Sequence, residues 1–165
     1  MQDLSDNEWI AQTTYCVAEL YSQGTRQTFD LGKFQSNLNG HAEDNLIAAL
    51  VARTTSGAIA HGTYDLLIIL NRSPCTSLMP ELKANHVPAC MTRLIDLQEN
   101  GLGNGTWRFN IQLNYRHLYG GNPSSNWNRA LNAFGVQQGA ASGIGIMHGV
   151  GYYDVGVAIE MSKLQ

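Results

Sequence analysis

The sequence predicts one α/β domain over residues 1–165, a three-layer sandwich in which a five-stranded mixed sheet is flanked by helices. Three observations predict it. Two β-branched and aromatic stretches lie on either side of an early turn. The run Leu66-Leu67-Ile68-Ile69-Leu70 is apolar on both faces. Segments with apolar residues at helical spacing fall between the later strands. No internal repeat, low-complexity block or long linker divides the chain, so these elements belong to one continuous fold.

In order, Ser5 before Asp6, Asn7 and Glu8 has the form of an N-cap opening a short helix. Residues 13–21 read as a first strand, Ser22-Gln23-Gly24 as a turn, and residues 26–34 as the returning strand of a hairpin. A polar loop over residues 35–40 leads to residues 41–53, where Ala42, Leu46, Ile47, Leu50 and Val51 recur at helical spacing from His41 onward. Residues 64–70, apolar on both faces, suit a central strand covered by helices on each side. Asn71-Arg72-Ser73-Pro74-Cys75 ends that strand. Pro88 at a first-turn position precedes a helix over residues 89–100, closed by Gly101. Residues 106–115 read as a strand, residues 125–134 as a helix ending at Gly135, and residues 152–159 as a last strand after a glycine-rich connection.

Composition narrows the class. With 44% hydrophobic residues, sparse charge and no apolar run of about 18 to 20 residues, the expectation is a soluble chain with no membrane partner, acting as a monomer. A formal charge of -3 exerts no global pull on nucleic acid, so any such partner must be held by local basic groups and stacking surfaces. Three cysteines cannot all pair within one chain, which favours thiol or metal chemistry over a disulfide framework.

The chemistry concentrates in His41-Ala42-Glu43 at a helix start, Ser73-Pro74-Cys75 after the apolar strand, and Cys90 at the start of the next helix. His41, Cys75 and Cys90 are three zinc-type ligands. Three protein ligands leave the fourth tetrahedral position open, which is the pattern of a catalytic rather than a structural Zn2+ site. Glu43, two residues beyond the histidine, is placed to shuttle protons. Helix N-termini also favour thiolates.

These residues resemble the zinc-dependent cytidine deaminase superfamily, whose signature is H-x-E followed by P-C-x-x-C. The chain departs at one place: Leu78 stands where the second cysteine is expected, and Cys90 follows Cys75 with fourteen residues between. The reading is an insertion, with residues 76–89 forming a loop beside the metal. Within the superfamily the chain is most similar to AID/APOBEC-like nucleic-acid cytosine deaminases and bacterial polymorphic-toxin deaminase domains. That likeness rests on the hairpin from Thr14-Tyr15-Cys16-Val17 through Gln27-Thr28-Phe29-Asp30-Leu31-Gly32, on Asn39-Gly40-His41-Ala42-Glu43, on Ser73-Pro74-Cys75, and on Arg116-His117-Leu118-Tyr119.

The resemblance implies a cytidine-deaminase-like fold, Zn2+ as cofactor, and cytosine in nucleic acid as substrate, DNA favoured over RNA. It also implies a toxin-type effector domain with an immunity protein as partner, secreted and acting in a target-cell cytoplasm. Such an enzyme reads an unstacked base, so Asn39, Asn37, Ser73, Tyr115, Tyr119 and Trp127 are candidate substrate contacts, and Arg72 and Arg116 candidate phosphate contacts. Two alternatives stay open: a deaminase of free nucleosides or transfer RNA adenosine, and an inactive zinc-binding module.

Other residues take plainer readings. Cys16 reads as core. His61, His86 and His148 read as surface-loop residues, with His86 a fallback ligand. Gly143-Ile144-Gly145 lacks the spacing and following chain of a dinucleotide loop. Asn104-Gly105 reads as a turn rather than a glycosylation site, and the aromatic cluster from Tyr115 to Trp127 reads equally well as packing.

Overall fold

The structure, a computed structural model, describes residues 1–38, 40–78, 88–121, 123–148 and 155–164. Its elements are α1 (Asp6–Ile10), β1 (Tyr15–Ser22), β2 (Thr28–Gln35), α2 (Ala42–Thr55), β3 (Gly62–Arg72), α3 (Cys90–Asn100), β4 (Trp107–His117), α4 (Asn126–Ala141), β5 (Gly145–His148) and α5 (Val155–Lys163). The strands form one five-stranded mixed sheet in the order β2-β1-β3-β4-β5. β1 is antiparallel to β2 and to β3, and β3, β4 and β5 run parallel.

Local chemistry sets most boundaries. Ser5 caps α1 by accepting from Glu8 N, while the Glu8 carboxylate accepts from Ser5 N at 2.7 Å, a reciprocal box that satisfies two otherwise orphaned donors. Ser125 caps α4 by a single bond, its hydroxyl accepting from Asn128 N at 3.1 Å. α3 stops at Gly101, whose φ of 66° combined with ψ of -152° is a conformation that a residue with a Cβ avoids. Among the described residues no helix is long and apolar enough to cross a membrane.

Alternation along the strands separates two faces. Tyr64, Leu66, Ile68 and Leu70 of β3, Phe109, Ile111, Leu113 and Tyr115 of β4, and Cys16, Ala18 and Leu20 of β1 are all buried on one face. There they meet Leu46 and Leu50 of α2, Leu94 and Leu97 of α3, and Ala130 and Val136 of α4 in one core cluster. Burying each such Leu, Ile or Phe contributes about 1.5–3 kcal/mol. Two successive crossovers between parallel strands ordered β3-β4-β5 put α3 and α4 on that same face.

The opposite face is thinner. α1 lies on it, with Trp9 beneath the Arg116 guanidinium at 5.7 Å and the Glu8 carbonyl accepting from Asn71 Nδ2 at 2.8 Å. Elsewhere this face carries exposed Arg108, Asn110 and Gln112, and Leu67 and Ile69 are only half-buried. β3 is therefore central in the sheet, but its two faces are covered unequally. Its apolar run reflects two apolar neighbours, β1 and β4, more than two helical layers.

Three expectations are corrected. The helix placed over residues 125–134 with a stop at Gly135 runs on to Ala141. Gly135 does not end it, because its missing Cβ admits Thr76: a methyl there would lie 2.4 Å from Thr76 Cβ. Gly139 admits Met91 in the same way, at 2.7 Å from its sulfur. The last strand is Gly145–His148, inside the glycine-rich connection, and Val155–Lys163 is helical rather than extended. Its Val and Ile content favours a strand locally, but packing against α4 and burial of Val157 in the core decide for a helix. Residues 152–154 lie outside the described residues. Pro88 precedes the N-cap Ala89 rather than occupying the first turn.

Candidate metal centre

Three elements bring the candidate ligands together. His41 is the N-cap of α2, its backbone N–H donating to Asp44 Oδ2 at 2.9 Å, and Ala42 N donates to Ser36 Oγ at 3.0 Å. Cys75 lies in the loop leaving β3, and Cys90 is the first residue of α3. The Asp44 carboxylate also receives the Arg93 guanidinium, so the N-termini of α2 and α3 are tied to each other beside the site.

His41 Nδ1 stands 3.5 Å from Cys75 Sγ and 3.4 Å from Cys90 Sγ, and the three ligand atoms all lie within 4.8 Å of one another. A tetrahedral ion with Zn–S near 2.3 Å and Zn–N near 2.0–2.1 Å sets an N···S separation of about 3.5 Å, so the donor set and its spacing fit zinc. These residues could hold a metal ion. The insertion does not displace Cys90: Cys90 N donates to Cys75 Sγ at 3.3 Å and Met91 N to the Cys75 carbonyl at 2.9 Å, so the loop leaves and returns at one place. Residues 79–87, with His86, lie outside the described residues.

The local electrostatics favour a thiolate. The Cys90 thiol, and after it His41, draw the Cys75 thiol down to about 4 against the opposing effect of burial. Cys16 is the contrast. It is fully buried beneath the site, its thiol is pushed well up by desolvation first and the Glu43 charge second, and its Sγ faces the Ala42 carbonyl at 3.8 Å as an inert core residue.

A cavity of about 940 Å³ opens over these groups, lined by His41, Cys75, Glu43, Asn37, Ser73 and Tyr119. Glu43, in the first turn of α2, is 2% exposed. The Tyr119 ring leans toward His41, with centroids 6.4 Å apart and planes at 57°. Ser73 is 1% exposed, and its hydroxyl accepts from Tyr119 N at 2.9 Å.

The remaining candidates fall elsewhere. Tyr115 is packed in the core beneath the sheet's buried face, and Trp127 stands 40% exposed on α4, neither lining the cavity. Asn39 lies outside the described residues. Arg116 stacks on Trp9, and Arg72 Nε donates to the Ala11 carbonyl. Exposed His61 stacks edge-on to Trp107, while Asn104, with φ 56°, sits in the turn before β4.

Sequence reasoning missed Thr13, Thr14 and Ser36, which line the same cavity and read as strand-start and loop residues. It also missed Asn132, buried inside α4. An asparagine in a helix interior is a weak helix former that needs a partner elsewhere, and that was the available signal. The His/Cys/Cys cluster beside an α/β mixed sheet is compatible with a zinc-binding deaminase-like fold. No protein-family model matches the chain, and no curated protein does, so this geometry and the motif together carry the functional reading.

Proposed function

We propose that the chain is a zinc-dependent hydrolytic deaminase converting cytosine to uracil in nucleic acid, with single-stranded or transiently opened DNA favoured over RNA. One observation carries the reading: buried Glu43 lines the same cavity as His41 and Cys75, whose ligand atoms are gathered with Cys90 at zinc-ligand spacing. A structural zinc site has no use for that acid.

Zinc bound by His41, Cys75 and Cys90 would lower the pKa of water to about 7 and so make a nucleophile available at neutral pH. Glu43 would take one proton from the attacking water and deliver it to the ring nitrogen, then take the second from the hydroxyl now on the ring carbon and hand it to the amine as the C–N bond breaks and the carbonyl forms, so that one water is consumed and one ammonia released. Burial shelters the carboxylate from competing solvent. The Tyr119 ring offers a face for an unstacked base, and Asn37 and Ser73 line the same cavity. The cavity is at the upper end of the roughly 300–1,000 Å³ of small-molecule sites, enough for a nucleotide rather than a bare base. The resemblance to toxin deaminase domains supports a secreted effector, held in check in its producing cell by an immunity protein.

The test is to incubate zinc-loaded protein with cytosine-containing single-stranded DNA, duplex DNA, RNA and free cytidine, and to measure uracil beside a Glu43→Ala control. Uracil in a polynucleotide, absent from the control, supports the reading and ranks the substrates. Uridine formed only from free cytidine replaces the substrate class, and no product from any of the four with zinc bound sinks the cytosine reading.

A further inference from the structure

α4 reaches the metal loop through one side chain. Asn132 is fully buried, and its Oδ1 accepts from Thr76 N, the residue after Cys75, at 2.9 Å. Its Nδ2 donates to the Tyr119 carbonyl at 2.6 Å and to the Asn128 carbonyl at 3.1 Å. One turn further along the same helix face, Gly135 receives the Thr76 side chain. The Tyr119 peptide is thus gripped on both sides, its N–H by the Ser73 hydroxyl and its carbonyl by Asn132. Both grips come from side chains that are themselves buried, Ser73 and Asn132, so each hydrogen bond is sheltered from competing water.

We propose that Asn132 is a positioning residue that couples the metal loop to the cavity wall carrying Tyr119. It does not line the cavity and has no contact with substrate; it acts through Thr76 on Cys75 and through the Tyr119 carbonyl on the aromatic ring beside His41. The two loops come from different strands, β3 and β4, and Ser73 and Asn132 cross-link them. Metal binding at Cys75 and placement of the Tyr119 ring are therefore linked, each tightening the other. The inference rests on His41, Cys75 and Cys90 being metal ligands, and it does not depend on which substrate is turned over.

Zinc affinity of the full chain, measured by competition with a chromophoric chelator, tests it in the parent, Asn132→Leu and Asn132→Asp. Leu is close in volume and makes none of the three hydrogen bonds. Asp keeps the acceptor for Thr76 N but sets a carboxylate oxygen against the Tyr119 carbonyl. Asn132→Leu should bind zinc about tenfold more weakly, the lower end of what lost outer-sphere support costs, with Asn132→Asp between it and the parent. Cobalt-loaded protein should show an altered visible absorption band in Asn132→Leu, a change in coordination geometry that mere loss of stability does not produce. Equal zinc affinities and superimposable cobalt spectra would overturn the proposal.

If Asn132→Leu does not fold, the parent alone decides by nuclear magnetic resonance. Zinc loading should shift the Asn132 side-chain amide and slow exchange of the Thr76 and Tyr119 amides. The Gln98 side chain, bonded to Ile111 N at 2.7 Å on α3, should stay unchanged. An unmoved Asn132 amide in zinc-loaded parent removes the inference and leaves the metal reading intact, whereas a parent that takes up no zinc removes both.

Discussion

The two ends of β3 are held by different means. Where β3 exits toward Ser73-Pro74-Cys75, the chain is fixed by buried polar side chains: Asn71, Ser73 and Asn132 are 0%, 1% and 0% exposed. Asn71 alone accepts from Tyr15 N at 2.8 Å and donates to the carbonyls of Glu8 at 2.8 Å, Ala11 at 3.3 Å and Thr13 at 2.9 Å. At the strand's other end the chain is fixed mostly by its own backbone. Gly62 N donates to the Thr106 carbonyl at 3.1 Å, Leu102 N to the Trp107 carbonyl at 2.9 Å, and Gly101, Gly103 and Gly105 supply positive φ values of 66°, 56° and 84°.

The contrast has a physical cause. Irregular backbone that must present ligands into a cavity cannot satisfy itself through a ladder, so side chains supply its hydrogen bonds. A tight turn between a helix and a strand closes on itself once glycine relieves the sterics. Damage at the first end should therefore reach the chemistry, while damage at the second should reach stability alone.

The largest effect is expected from Cys90→Ala. Zinc should no longer co-purify, as read by metal analysis of the folded protein, and the proposed deaminase activity should be absent with it. Retained zinc at parental affinity would break the assignment of this end as a metal centre. Next is Gly101→Ala, at the opposite end. A Cβ there would lie 2.0 Å from the Trp107 carbonyl oxygen on a φ of 66°, and the strain should lower unfolding stability by about 3 kcal/mol. Zinc affinity of the protein that remains folded should be unchanged, and an altered affinity would blur the distinction between the two ends.

Asn71→Ala should lower stability by about 2 kcal/mol, because it strands buried backbone partners of α1 and β1. Here zinc affinity should fall as well, since Asn71 lies two residues before Ser73; chemical denaturation combined with chelator competition reads both quantities. The smallest effect belongs to Glu8, which pairs with Lys33 and does not line the cavity. Its carboxyl is held below its ordinary value by the Lys33 hydrogen bond first and the Ser5 backbone N–H second. A carboxyl lowered in the folded state stabilises above its unfolded pKa and loses that contribution as pH falls through the folded one. Glu8→Gln should therefore flatten the acid side of the thermal-stability profile while leaving zinc affinity unaltered.

Much of the site was legible in the sequence because its signals are local. His41 and Glu43 share one helical turn, Pro74-Cys75 follows a run of five apolar residues, and Cys90 opens a periodic helix, so each could be placed on its element without knowing the fold. The hairpin, the buried strand and the boundaries of α2 and α3 were legible for the same reason. The end of α4 was not. Gly135 and Gly139 carry the local signature of a stop, and only Thr76 and Met91, brought in from the loop after β3 and from α3, turn them into sites of close approach. β5 and α5 were misplaced because four residues are too few for a period, and because burial of Val157 outweighs the strand preference of its neighbours.

By itself the sequence determined which residue types could hold a metal and move a proton, and on which elements they lie. Tertiary structure alone decided that Cys90 returns to Cys75 across fourteen intervening residues, that Tyr119 faces His41 while Tyr115 sinks into the core, and that Asn132 joins the two loops. The division follows from range: propensity and periodicity are written within one turn or one strand, whereas a buried hydrogen bond between α4 and the loop after β3 exists only once the sheet has brought both to the same edge.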